Sequence, residues 1–186
     1  MFDRNMTDNA QIIIKNHIAG QEAQSLIALD ATMGNGFDLE FLSVLPQIKS
    51  VWGFDVQPQA VENTRKRVKD IHKDIHLIQD SHHQLDRYIE GLIDVGMFNL
   101  GYLPQGDKTI VTTTDTTLLA IEKAIGKLSA SGILTIMTYP GHEEGAKEHL
   151  EVQQLLSRFS QREIKVLQLS MTNVNKPCPN IFIVIR

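Results

Sequence analysis

The sequence contains a single cysteine, Cys178, among its 186 residues. One thiol excludes an internal disulfide and any zinc site built from several cysteines. No apolar run approaches the ~20 residues that a membrane-spanning helix requires. The N-terminal segment also lacks the basic and apolar regions of a secretory signal. From these absences we expect a cytoplasmic protein that is not associated with a membrane.

The chain has little excess charge of either sign. Its formal net charge is −4 at pH 7, so a nucleic acid would need a local basic patch rather than general attraction to the surface. The basic run Arg65–Lys69 could face phosphates, but a solvated helix face is the simpler interpretation. The length suits one domain, which we expect to span residues 1–186. The sequence leaves the oligomeric state open, and a homodimer is one alternative.

Hydrophobic patterns of strand and helix period alternate along the chain. We expect strands at about 26–31, 51–55, 75–78, 92–98, 132–138, 163–171 and 180–185. We expect helices at about 7–19 (with Thr7 as N-cap), 37–45, 58–69, 82–90, 112–128 and 143–158. This alternation predicts an α/β fold with a parallel sheet and helices on both faces. A short loop joins the last two strands, so one strand should be antiparallel. A seven-stranded sheet of this kind is the architecture of Rossmann-like class I methyltransferases.

The most informative stretch is residues 26–38, where an apolar strand ends at Asp30 and a glycine loop follows. Gly34 and Gly36 allow the backbone to turn sharply and to approach a ligand closely. A dinucleotide fingerprint needs a third glycine, but that position holds Leu39. The loop therefore favours S-adenosylmethionine, which has no pyrophosphate, over a dinucleotide.

Acidic side chains follow three consecutive predicted strands. Asp30, together with Asp38, can accept hydrogen bonds from the ammonium group of S-adenosylmethionine. Asp55 can accept both ribose hydroxyls, and the segment Asp80–His82 can hold the edge of the adenine. Ligands in such sheets bind beyond the carboxyl ends of the strands, where all of these groups should meet. The alternative is that the acids only cap helices or turns.

A turn-rich loop, Asn99–Tyr102, follows the fourth predicted strand and resembles the Asn-Pro-Pro-Tyr motif of amino methyltransferases. The Asn99 side-chain oxygen can accept a hydrogen bond from an N–H group, which would aim the nitrogen lone pair at the methyl donor. Tyr102 could stack on a flat base, a contact worth ~1–3 kcal/mol in single-stranded recognition. These features favour an amine acceptor, and the alternative is a plain turn.

Histidines are the candidates for a proton acceptor in the site. Methyl transfer depends mainly on placement, but the amine must be unprotonated, and His142 or His82 could assist. His142 could equally be a cap of the helix that follows it. His72 and His76 are four residues apart, yet no regular ligand spacing supports them, so we expect no metal site.

Five motifs occur in order along the chain: Asp30–Asp38, Gly53–Gln57, Asp80–His82, Asn99–Lys108 and Tyr139–Gly145. Together they resemble those of the YtqB/MnmM family, and this resemblance covers nearly the whole chain. It implies an enzyme that depends on S-adenosylmethionine and methylates the 5-aminomethyl group of the wobble (2-thio)uridine in tRNA, giving 5-methylaminomethyl-(2-thio)uridine. The implied RNA partner is the anticodon stem-loop of tRNA.

The motifs and the resemblance define the expected site residues. Those expected to bind the cofactor are Asp30, Thr32, Gly34, Asn35, Gly36, Asp38, Asp55, Val56, Gln57, Asp80, Ser81, His82 and Asn99. Those expected to bind the substrate are Leu100, Gly101, Tyr102, Leu103, Pro104, Tyr139, Pro140 and His142. The expected catalytic residues are Asn99, Tyr102 and His142. The chain departs from the family pattern in two ways: Leu39 replaces the usual threonine, and the N-terminal segment lacks a proline–aromatic pair.

Two other functions remain open from the sequence. The first is a methyltransferase that acts on rRNA or on a small-molecule amine. The second is a Rossmann-like protein that binds a nucleotide without catalysis, although the missing third glycine argues against a dinucleotide.

Overall fold

The structure, a computed structural model, describes residues 5–101 and 114–186. Its helices are α1 (Met6–His17), α2 (Phe37–Val44), α3 (Pro58–Val68), α4 (Thr114–Gly126) and α5 (Glu143–Leu156), with a 3-10 helix at His82–Arg87. Its strands are β1 (Leu26–Asp30), β2 (Ile48–Phe54), β3 (Asp74–Ile78), β4 (Ile93–Asn99), β5 (Leu128–Thr138), β6 (Lys165–Leu169) and β7 (Asn180–Ile185). Within these described ranges, none of the helices combines the length and apolarity needed to cross a membrane.

All seven of these strands form one sheet in the order β3-β2-β1-β4-β5-β7-β6. The pairs β1–β2, β1–β4, β2–β3 and β4–β5 are parallel. β7 is antiparallel to both of its neighbours, β5 and β6, as expected for strands joined by a short loop. The predicted α/β architecture, with a mostly parallel seven-stranded sheet and one reversed strand, is confirmed.

Alternate residues of the central strands bury their side chains on opposite faces of the sheet. In β4, Val95 and Met97 pack in a cluster with Leu42 of α2. Phe98 packs in a second cluster with Ile121 of α4. Burying one such side chain is worth ~1.5–3 kcal/mol. These two clusters place α1, α2 and α3 on one face and α4, α5 and the 3-10 helix on the other.

The first helix begins one residue earlier than predicted, at Met6. Its N-cap is Asn5, whose side-chain oxygen accepts a hydrogen bond of 3.0 Å from the Thr7 backbone N–H. The prediction of Thr7 as the N-cap is therefore wrong. Asparagine is at least as good an N-cap as threonine, and the backbone at Asn5 has the extended conformation that a cap requires.

Two strands, β2 and β5, begin three or more residues earlier than their apolar patterns predict. β2 begins at Ile48, opposite Leu26 of β1, and β5 begins at Leu128, opposite Ile93 of β4. The short helix predicted at about 82–90 is a 3-10 helix. Pairing with a neighbouring strand decides where β2 and β5 begin, and this information is not local to either segment.

Candidate active site

The loops after β1, β2, β3, β4 and β5 surround a cavity of about 780 Å³ at one edge of the sheet. This edge carries the carboxyl ends of the parallel strands, where ligands bind in open α/β sheets. The volume lies within the range of small-molecule and cofactor sites. The predicted site residues that line the cavity are Thr32, Gly34, Asn35, Asp38, Asp55, Val56, Gln57, Asp80, Ser81, His82, Asn99, Leu100, Gly101, Tyr139 and His142.

The other predicted site residues fall into two groups. Asp30, Gly36 and Pro140 are described by the structure but do not line the cavity. Tyr102, Leu103 and Pro104 lie outside the described residues. The proposed stacking of Tyr102 on a base therefore stays a prediction.

The glycine loop turns as its sequence predicts. Gly36 is the N-cap of α2 and has φ +81°. A Cβ atom at this position would lie 2.8 Å from Oγ1 of Thr64 in α3, so both the backbone conformation and the close packing require glycine. Gly34 has φ +49° and faces the cavity. Gly36 therefore shapes the loop, whereas Gly34 leaves open space at the cavity wall while its own N–H and carbonyl bond to Asp55 and Thr64.

Asp55 connects the glycine loop to the loop that follows β2. Its two carboxylate oxygens accept hydrogen bonds from the backbone N–H of Gly34 (3.0 Å) and of Gln57 (2.9 Å). Burial raises the pKa of Asp55, while these N–H groups oppose the shift. Each carboxylate oxygen can accept more than one hydrogen bond, so Asp55 can hold the loop and still bind hydroxyl groups of a ligand.

Two further carboxyl groups lie together beneath and beside the glycine loop. Asp30 is 1% exposed, and its Oδ1 accepts a hydrogen bond of 3.2 Å from the Thr32 backbone N–H. Its Oδ2 accepts no hydrogen bond of ordinary geometry from the described part of the chain, although the nearby Leu39 backbone N–H acts to lower the pKa of Asp30. Burial, and then the charge of Asp38, raise the pKa of Asp30 well above its usual value. Burial also raises the pKa of Asp38.

The side chains that line the cavity carry charge of one sign. The lining includes three aspartates: Asp38, Asp55 and Asp80. Among the described residues, 5–101 and 114–186, it includes no lysine or arginine. Like charges that are buried together are costly unless a cation offsets them. This arrangement suits a ligand with a positive charge near Asp38 and does not suit a pyrophosphate.

The loop after β3 holds its polar groups in local hydrogen bonds. Asp80 accepts hydrogen bonds from the Tyr88 hydroxyl (2.8 Å) and from the Ser81 backbone N–H (2.7 Å). His82 is 7% exposed, and burial lowers its pKa to about 4. His82 is therefore neutral near pH 7 and is a poor acceptor for a proton from an amine.

Asn99, the last residue of β4, lines the cavity and contacts one of its acidic groups, Asp38. Its backbone N–H donates to Oγ1 of Thr32 (2.7 Å). Its side-chain amide donates to Oδ2 of Asp38 (3.5 Å), and its side-chain oxygen accepts from the Tyr139 hydroxyl (2.7 Å). Asp38 in turn accepts a hydrogen bond of 2.8 Å from the side-chain amide of Gln11 in α1.

His142 lines the cavity and is also the N-cap of α5. Its Nδ1 accepts a hydrogen bond of 3.0 Å from the Gly145 backbone N–H. Accepting a proton at Nδ1 would break this cap. The geometry thus matches the capping role that the sequence left open, and it weakens the prediction of His142 as a proton acceptor.

Several lining residues carried no local signal in the sequence. Thr116 comes from α4, and Pro177, Cys178 and Pro179 come from the loop between β6 and β7. The long-range fold brings these groups to the cavity. Phe37 could have been identified, since it follows the glycine loop directly; it lines the cavity and is 60% exposed.

A cation stacks on the Phe37 ring at the rim of the cavity. The Arg67 guanidinium lies 3.7 Å from the ring centroid and donates hydrogen bonds to the Asn35 carbonyl (2.8 Å) and to Glu40 (2.9 Å). Arg67 therefore fixes the ring and the loop and is not free to bind phosphate.

Across residues 5–101 and 114–186, no three His, Cys, Asp or Glu side chains converge as metal ligands would.

Comparisons with known sequences point to one family. The model of the family described as "Putative rRNA methylase" matches residues 51–186. The chain is also 34% identical, over 139 residues, to the chloroplastic tRNA (mnm(5)s(2)U34)-methyltransferase of Arabidopsis thaliana. That match covers 67% of this chain but 50% of the curated relative, so the chain spans about half of that relative's length.

Solved structures resemble the whole chain. A putative rRNA-methylase from Clostridium thermocellum is 32% identical with a TM-score of 0.90, and the match covers 100% of this chain and 99% of that one. A putative methyltransferase from Streptococcus mutans, solved in complex with SAH, is 32% identical with a TM-score of 0.85 and the same coverage. These likenesses confirm the predicted Rossmann-like class I methyltransferase fold.

Proposed function

The chain belongs to the putative rRNA methylase family, as the resemblance to YtqB/MnmM proteins predicted, and from that premise we propose a specific reaction. The protein transfers a methyl group from S-adenosylmethionine to the amine of 5-aminomethyl-(2-thio)uridine at the wobble position of tRNA. The product is 5-methylaminomethyl-(2-thio)uridine. The observation that carries this proposal is the Asn99 carboxamide, which lines the acidic cavity and contacts Asp38.

The residues present suit S-adenosylmethionine as the cofactor. Asp30 Oδ2 is buried and accepts no hydrogen bond of ordinary geometry from the described residues, and the neighbouring Asp38 has a raised pKa because it is buried. A cation beside Asp38 would offset both charges, and the cofactor carries an ammonium group and a sulfonium. Asp55 would hold the ribose hydroxyls, while Val56 and the Asp80–His82 segment would line the adenine end.

The cofactor would supply an activated methyl group, which the amine nitrogen would take in exchange for a neutral thioether leaving group, and the secondary ammonium so formed would lose a proton to water. The protein's own part is placement. Asn99 Oδ1 accepts one hydrogen bond from Tyr139 and can accept another from an amine N–H. That contact orients the nitrogen lone pair, which is the main requirement of an in-line transfer.

The choice of RNA rests on the curated relative, a tRNA (mnm(5)s(2)U34)-methyltransferase in Arabidopsis thaliana. We propose the anticodon stem-loop as the partner because the wobble position lies within it. A base must also leave its stack to enter a cavity at a sheet edge, and this costs least in a single-stranded loop.

The test uses tRNA that carries 5-aminomethyl-uridine, with and without 2-thiolation. The tRNA is incubated with enzyme and S-adenosylmethionine and digested to nucleosides, which are analysed by mass spectrometry. We expect the 5-aminomethyl nucleoside to gain the mass of one methyl group, with no gain when the donor is omitted. If this nucleoside keeps its mass while rRNA or a free amine is methylated, the proposed acceptor is wrong.

Two measurements test the alternative functions. Binding to RNA should weaken steeply as salt increases, because counterions are released from the phosphates; a flat salt dependence would favour a small-molecule amine. Calorimetry with S-adenosylhomocysteine and with a dinucleotide tests the non-catalytic alternative. Tighter binding of the dinucleotide would support a nucleotide-binding protein instead.

A further inference from the structure

The Asn99 carboxamide makes two side-chain hydrogen bonds, one at each end. Asp38 Oδ2 accepts from its Nδ2 (3.5 Å), and the Tyr139 hydroxyl donates to its Oδ1 (2.7 Å). Gln11 adds a further hydrogen bond to this series by donating to Oδ1 of Asp38 (2.8 Å). The chain of hydrogen bonds therefore joins α1, α2, the end of β4 and the residue after β5.

The short bond from Tyr139 and the longer contact with Asp38 together favour one of the two ways in which the amide can face. If the amide were rotated by half a turn, its oxygen would face the Asp38 carboxylate, and two acceptors would oppose each other. In the observed orientation the amide oxygen accepts from Tyr139 and keeps a second lone pair. That lone pair is the one available to an amine.

Tyr139 is itself well anchored as a donor. It lines the cavity, and its hydroxyl also lies 3.1 Å from the sulfur of Met137. An amide oxygen is a far better acceptor than a thioether, so the hydroxyl proton points to Asn99. Burial raises the pKa of Tyr139, so the hydroxyl keeps its proton at neutral pH.

We propose that Tyr139 is a positioning residue, which acts through Asn99 and not by contact with the acceptor base. Its hydroxyl holds the Asn99 carboxamide so that the free lone pair of the amide oxygen faces the acceptor amine. This inference rests on the proposed function, and it revises the sequence-based expectation that Tyr139 binds the substrate directly. Because the bond orients the acceptor and not the cofactor, its loss should lower the rate and spare donor binding.

Tyr139→Phe tests the proposal, because it removes the hydroxyl and keeps the ring. We expect kcat to fall by about tenfold, since one oriented hydrogen bond and a small misplacement of the acceptor are lost. The KM for tRNA and the Kd for S-adenosylhomocysteine should change by less than about threefold. An unchanged kcat, or a rise in the KM for tRNA with kcat unchanged, would overturn the proposal.

Tyr88→Phe is a matched contrast. It removes the Tyr88 hydroxyl, which donates a hydrogen bond of 2.8 Å to the Asp80 side chain at the same edge of the sheet. Here we expect a higher Kd for S-adenosylhomocysteine and an unchanged kcat at saturating donor. If both variants show the same pattern, Tyr139 has only a general structural role.

A second readout does not depend on the identity of the acceptor. The side-chain amide of Asn99 is followed by ¹⁵N NMR and assigned by its absence from the Asn99→Asp spectrum. In Tyr139→Phe we expect a shifted amide resonance with faster hydrogen exchange, and an unfolding midpoint close to that of the parent protein. An unchanged resonance would refute the positioning role even if the tRNA reaction had failed, so the two proposals can fail separately.

Discussion

The cavity has two proposed ends, a donor end after β1, β2 and β3 and an acceptor end at Asn99 and Tyr139, and they are built by different kinds of hydrogen bond. At the donor end, after β1, β2 and β3, Asp30, Asp55 and Asp80 each accept from backbone N–H groups, and most of these are one or two residues away. At the acceptor end, the Asn99 side chain bonds to side chains 61 and 40 residues away, and its backbone N–H bonds to the Thr32 side chain 67 residues away. Local bonds to the backbone shape a binding surface, whereas long-range bonds between side chains set the direction of one polar group, the Asn99 carboxamide.

The two ends also differ in charge. The donor end carries buried carboxyl groups with raised pKa values, because burial disfavours their ionised forms. The acceptor end uses neutral groups, the Asn99 carboxamide and the Tyr139 hydroxyl. Substitutions at the donor end should therefore change affinity and its pH dependence, whereas substitutions at the acceptor end should change the rate.

The largest effect should come from Asn99→Ala. Turnover should fall by about 100-fold or more, because the amine loses the group that orients its lone pair. The backbone N–H of residue 99 still bonds Thr32, so the affinity for S-adenosylhomocysteine should stay within about threefold. Single-turnover kinetics and calorimetry measure the two quantities.

Asn63→Ala is the matched variant at the donor end. It removes an asparagine amide that donates to Oδ1 of Asn35 in the glycine loop (2.9 Å). It should weaken donor binding and leave the rate at saturating donor unchanged. If both asparagine variants lower the rate and the affinity equally, the division between the two ends does not exist.

An intermediate effect is expected from Asp30→Asn, which removes a buried carboxyl group. Because burial raises the pKa of Asp30 in the folded protein, its contribution to stability is fully present below the unfolded pKa and is lost as pH rises through the folded pKa. The variant should therefore unfold at a higher temperature than the parent. The difference should be greatest above the raised pKa and should shrink as pH falls through it.

Thermal unfolding across about pH 5 to 8 checks this prediction. Donor affinity in Asp30→Asn should fall by about tenfold, because a negative charge near the bound cation is lost. Asp70→Asn is the control, since the Asp70 side chain is 88% exposed, and it should change neither quantity. A variant that is less stable than the parent at neutral pH would contradict the account of Asp30.

The smallest effect should come from Gln11→Leu, which removes the amide that supports Asp38. One hydrogen bond is worth ~0.5–1.5 kcal/mol, so turnover should fall by only a few-fold, as measured by steady-state kinetics. Gln153→Leu is the control, because Gln153 bonds Gln168 on an exposed surface. A larger loss in Gln11→Leu than in Asn99→Ala would mean that α1, and not β4, directs the acceptor.

The sequence predicted most of the residues that line the proposed donor end, because its signals there are local, and their roles in binding stay a prediction. The positive φ of Gly36 and the strand-terminal aspartates follow from residue types within a few positions of one another. The same is true of the order of strands and helices, which follows from hydrophobic period. The sequence did not predict how deeply each group is buried. Asp30, for example, is buried and does not line the cavity.

The acceptor end was identified from the sequence only in part. The position of Asn99 after β4 was predicted, but its partners were not, because Gln11, Asp38 and Tyr139 come from separate elements. For the same reason, the sequence did not decide whether His142 is a proton acceptor or a helix cap. In the tertiary structure its Nδ1 accepts a hydrogen bond from the Gly145 N–H, as a cap does.

The sequence by itself therefore determined the fold and the donor loop, since turns, caps and strand ends depend on neighbouring residues. Only the tertiary structure decided the direction of the Asn99 carboxamide and brought Thr116 and Pro177–Pro179 to the cavity. The physical reason is that an orienting hydrogen bond needs partners on opposite sides of one group. In this protein the sheet order β1-β4-β5 supplies those partners from segments that are remote along the chain.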